Sequence, residues 1–77
     1  MNPYENLANA IIVLAVKDYR TVLRRCMRYP NDRDNRSERQ SLERFFRSGW
    51  FGVLTDLDGE VLMASIQREV FGKAVVA

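Results

Sequence analysis

Residues 44–51, RFFRSGWF, bring two arginines, one serine and four aromatic rings together within eight positions. Arg44 and Arg47 stand three apart and would share one face of a helix. Ser48 can cap a short helical turn over 50–54, whose free N–H groups favour an anion. A guanidinium fork, a hydroxyl and the indole plane of Trp50 are groups that recognise phosphates and bases. Thr55 closes the same turn and joins the candidate ligand-binding set. The competing reading places the rings in the core and the arginines on its rim, and it is preferred for Phe45, Phe46 and Phe51.

A second cluster of donors, Lys17-Asp18-Tyr19-Arg20, follows an apolar run at 10–16. Tyr19 falls on an apolar stripe, which buries its ring while its hydroxyl seeks a partner. Lys17, Tyr19 and Arg20 are therefore candidate ligand contacts as well, with a Lys17–Asp18 ion pair between subunits as the alternative. Arg20, Arg24 and Arg28, spaced by four, could follow phosphates. The long first helix does not suit a helix-turn-helix reader, so duplex DNA is not the expected partner.

Other chemistries lack their parts. The chain has no histidine and one cysteine, Cys26. Ser-His and Cys-His nucleophile systems and zinc sites are thereby excluded in their usual forms. Asp56-Leu-Asp58-Gly-Glu60 superficially matches part of a calcium loop. Leu54 and Ser65 would then occupy its first and last ligand positions, which neither can serve. No phosphate-binding glycine loop is present. The expectation is a non-enzymatic protein with no cofactor and no metal.

The elements that would carry these residues are helical. No Gly or Pro interrupts Tyr4 to Arg28, and apolar groups recur at Tyr4, Leu7, Ala8, Ile11, Leu14 or Ala15, Tyr19, Val22 and Cys26. Tyr29-Pro30-Asn31-Asp32 ends this helix, and 29–36 is expected to be a charged loop. Ser37-Glu-Arg-Gln40 has the form of a capping box, which predicts a second helix from Ser37 to about Arg47. A short turn over 50–54 comes next. A third full helix begins after Asp58, with Leu57 and Leu62 as a hydrophobic staple and Leu62, Ile66 and Val70 as its buried stripe. Gly72 is expected to close it, leaving 73–77 as a flexible tail. The fold class is all-α: residues 1–77 form one helical domain, a long N-terminal helix packed against two or three shorter ones.

Seventy-seven residues without a disulfide barely sustain a single core. The first helix is apolar on all sides between Ala10 and Val16, more than so short a chain can cover, so a homo-oligomer is expected. A lone thiol and the absence of a leader or a membrane span point to the cytoplasm. Net charge is only +2, yet residues 17–47 hold ten of the twelve basic side chains against five acids. That asymmetry suits an anionic partner.

The segments LANAI (7–11), AVKDYR (15–20), ERFFRSGWF (43–51) and LTDLDGE (54–60) resemble a family of small proteins encoded in prophages and integrative elements of Gram-positive bacteria. The resemblance covers most of the chain apart from 29–36 and the tail. Gly49 departs from it, standing where members often carry an acidic residue. The resemblance implies a phage-borne protein that counters host antiviral defence by binding. The sharpest form is sequestration of a cyclic or modified adenine nucleotide that serves as an immune signal. The alternatives are direct inhibition of a host nuclease or other defence protein, and a nucleic-acid-binding accessory role.

Overall fold

The computed structural model describes residues 3–75, with side chains described for residues 3–72. Four helices follow in chain order: α1 (Pro3–Arg28), α2 (Arg33–Arg47), α3 (Gly49–Leu54) and α4 (Gly59–Val75). Residues 29–32 turn the chain sharply, so α2 runs back along α1. Within that turn Tyr29 N donates to Arg25 O at 2.8 Å and Asp32 N to Tyr29 O at 3.1 Å. α1 packs against all three other helices, and α2 packs against α3 and α4.

The core lies between the second half of α1 and the inner faces of the rest. Tyr19, Val22 and Leu23 are fully buried, as nearly are Phe46, Phe51, Met63 and Ile66. Tyr19 meets Phe46 edge-on with ring centroids 5.4 Å apart, and Phe51 meets Phe46 at 5.6 Å and Phe45 at 5.8 Å. These edge-to-face contacts add to the simple burial of apolar area. Phe46 and Phe51 are core as the sequence predicts, with Phe45 half-buried against them; of the predicted α4 stripe, Ile66 and Val70 are buried and Leu62 half-buried.

Several expectations need correction. The second helix begins at Arg33, not Ser37, because Asp32 caps it: its backbone is extended and its Oδ1 accepts from Asn35 N at 2.9 Å. A carboxylate five residues earlier takes the cap, and Asp34 then sits in the positive first turn. Hence 33–36 is helix rather than loop, and Ser37 is an exposed interior residue. Gly72 does not end α4, which continues to Val75. No left-handed glycine occurs among the described residues, and Lys73-Ala-Val is compatible with helix. α4 thus runs through most of the expected tail, and residues 76 and 77 lie outside the described residues. Leu57 is 57% exposed, so its staple with Leu62 buries little.

The most informative correction concerns α1. Tyr4, Leu7 and Leu14 were expected on the buried stripe but are 83%, 61% and 59% exposed. Ala15, Tyr19 and Val22 are buried as expected, and Ile12, not Ile11, continues their stripe toward the N-terminus. The helix carries two apolar stripes, and the short chain covers only one.

Candidate functional site

The region around α3 is assembled by local capping. Ser48 ends α2 and caps α3: its Oγ donates to Phe45 O at 2.7 Å and accepts from Phe51 N at 3.2 Å. Both interactions satisfy backbone groups at helix ends. The hydroxyl expected to meet an anion is therefore already committed. Thr55 follows as the C-cap of α3, and its Oγ1 accepts from Leu57 N at 3.2 Å. Asp58 then caps α4, accepting from Glu60 N at 2.9 Å and Val61 N at 3.3 Å.

Arg47 projects from the end of α2 and its Nε donates to Glu60 Oε1 at 2.5 Å. The hydrogen bond and charge of Glu60 hold the guanidinium even more firmly protonated than usual. Arg47, Ser48, Leu57 and Glu60 border a surface hollow of about 300 Å³, floored by Phe46 and Phe51. Its cation is already neutralised from within the chain. Arg44 is exposed one turn earlier and pairs with no acid among the described residues.

Trp50 is not core. It is 56% exposed, with Val53 three residues along α3 at 75%, and Leu57 and Val61 at 57% and 63%. Four large apolar side chains between residues 50 and 61 are thus exposed, and Arg47, Asp56, Asp58 and Glu60, all exposed as well, stand beside or between them in the chain. Sequence reasoning missed the aliphatic members. Their signal was the apolar residues left over once Phe51 and Leu54 had supplied the inward face of so short a helix.

Gly59 explains how this region is fixed. A Cβ at that position would overlap the carbonyl oxygen of Phe46, so the first turn of α4 rests directly on the α2 backbone. The sequence signal was a glycine directly after the capping Asp58, where a better helix former would otherwise serve.

The second predicted cluster does not join the first. Lys17 is exposed, and Arg20 Nε pairs with Glu69 Oε2 on α4 at 2.8 Å. Tyr19 is fully buried. Its hydroxyl donates to Glu43 Oε2 at 2.7 Å and accepts from Gln67 Nε2 at 2.8 Å. Glu43 Oε2 also accepts from Arg39 Nε at 2.9 Å. Burial pushes the Glu43 carboxyl up, but bonds from Tyr19 and Arg39 and the arginine charge outweigh it and leave the pKa lowered. Burial is likewise the largest cause raising the Tyr19 phenol. This network joins α1, α2 and α4, with no buried polar side-chain atom unsatisfied among the described residues. It is a structural clamp.

Beside it, Cys26, Pro30, Arg36, Arg39, Gln40 and Glu43 line a hollow of about 390 Å³. Among the described residues no three His, Cys, Asp or Glu side chains gather closely enough to hold a metal ion, and no helix is long and apolar enough to cross a membrane. No protein-family model matches the chain, and neither a curated protein nor a solved structure shows significant similarity to it.

Proposed function

We propose that this chain is a non-enzymatic binding protein that docks on another protein through the α3–α4 face centred on Trp50. The observation that carries the reading is that Trp50, Val53, Leu57 and Val61, close together in the chain, are all more than half exposed among charged neighbours in sequence. An aromatic anchor among apolar neighbours with a polar rim is how protein interfaces concentrate their affinity. Nucleotide sequestration is less well supported, because Ser48 is spent on capping and Arg47 on Glu60. The resemblance to prophage-borne proteins supplies the context: the partner is a component of host antiviral defence, met in the bacterial cytoplasm.

Native mass spectrometry of protein purified from phage-challenged cells separates the two binding classes. The expected spectrum contains a complex with a host protein that disappears in Trp50→Ala, with no small molecule retained. A retained nucleotide mass, lost in Arg47→Ala, would reverse the choice.

A further inference from the structure

Two apolar stripes run along α1. Ile12, Ala15, Tyr19 and Val22, at spacings of 3, 4 and 3, face the core. Tyr4, Leu7, Ile11 and Leu14 repeat the same spacings eight residues earlier, hence about 80° around the helix. Three of these four are exposed by more than half, and Ile11 is half-buried. A 3–4 spacing is the seam by which one helix packs along another. Among the described residues, no helix of the chain covers this second seam.

We propose that a second copy of the chain covers it, the two α1 N-terminal halves packing antiparallel about a two-fold axis level with Asn9. The stripe is self-complementary in that arrangement. Tyr4 lies opposite the partner's Leu14, and Leu7 opposite the partner's Ile11, so each large side chain meets an aliphatic one. Ala8 and Ala10 flank the axis and let the helices approach closely. Charge selects the direction. Arg20, Arg24, Arg25 and Arg28 all lie in the other half of α1. A parallel pair would set these arginines side by side, whereas the antiparallel pair sends them to opposite ends. Each Asp18 then approaches the start of the partner's α1, the positive end of its dipole. The seam exposes on the order of 500 Å² per chain, so pairing buries roughly 1,000 Å², the lower bound of specific interfaces. A micromolar dimer is the expectation.

The seam also makes the test selective. Leu14 is on it, whereas Val13, 66% exposed, lies well around the helix from it. Both are solvent-facing in the monomer, so glutamate at either leaves the fold intact. Sedimentation equilibrium should show Leu14→Glu weakening the dimer by more than about a hundredfold and Val13→Glu changing it little. For direction, a spin label on Met27→Cys in a Cys26→Ser background should report a label separation of roughly 50 Å. A protein that stays monomeric at high micromolar concentration overturns the proposal. So does a dimer that survives Leu14→Glu, or label separations below about 20 Å, which parallel helices would give. These readouts concern self-association alone and are independent of the Trp50 face.

Discussion

Tyr19 and Arg47 both look like ligand-binding residues in the sequence, and the structure treats them in opposite ways. Tyr19 lies at the centre of the fold, its hydroxyl shared between Glu43 and Gln67. Arg47 lies at the surface, answered by a single exposed carboxylate. The first is a polar network with every member satisfied, where losing one group strands others in a poorly solvated place. The second is a pair that water and salt can replace. A donor's chemistry is therefore less telling than what its own chain has already done with it.

The largest expected effect comes from detaching the surface region from the core. Gly59→Ala places a methyl against the Phe46 carbonyl, and backbone cannot move aside as a side chain tip can. A loss of about 3 kcal/mol is expected by denaturant unfolding, with the α3–α4 face disordered before the rest. Tyr19→Phe comes next. It keeps the ring contacts but leaves Glu43 and Gln67 each short of a partner, at a cost of about 1–3 kcal/mol. Arg47→Ala, by contrast, should leave the melting temperature where it was. An equal loss from Tyr19→Phe and Arg47→Ala would erase the distinction between the two regions.

Acid sharpens the same contrast. Glu43 has a folded pKa below its unfolded one, so its stabilising contribution is complete above the unfolded value. It is lost as pH falls from the ordinary carboxylate range through the depressed folded value. The groups facing it are Tyr19 from α1, Arg39 and, at longer range, Arg47 from α2. Stability measured against pH should fall across that window in the unmodified protein, and the fall should be shallower in Glu43→Gln. An unchanged slope in the variant would remove Glu43 from the acid response. A small effect of opposite sign is expected at Gly49, the first residue of α3, where a side chain would meet open space. Gly49→Glu should stabilise by about 0.5–1 kcal/mol, through lower unfolded-state entropy and a carboxylate at the helix N-terminus.

The helical class, the aromatic core and the caps at Ser48 and Asp58 were legible because each rests on neighbours in sequence. Ser37 misled because a capping box is a local pattern, and Asp32, five residues sooner, starts the helix by capping Asn35 N–H instead. α1 misled for a different reason. Periodicity counts apolar positions but cannot say which of two adjacent stripes the rest of the chain will cover. Ile12 and Leu14 are alike in composition, and only the packing of the other helices separates a buried residue from one 59% exposed. The Arg47–Glu60 pair was hidden as well, since its partners lie thirteen residues apart across two turns of chain.

The central claim is that the working surface is the apolar face around Trp50 rather than the arginine beside it. Because Trp50 is 56% exposed, Trp50→Ala should fold as the unmodified protein does. Under the proposed role against host defence, phage plating efficiency then compares Trp50→Ala, Arg47→Ala and Arg33→Ala at matched melting temperatures. Loss of an aromatic anchor weakens binding by about thirtyfold or more. Trp50→Ala should therefore abolish protection, while Arg33→Ala retains it and Arg47→Ala retains most of it. Full protection by Trp50→Ala, together with loss in Arg47→Ala, would contradict the account and return the site to anion recognition.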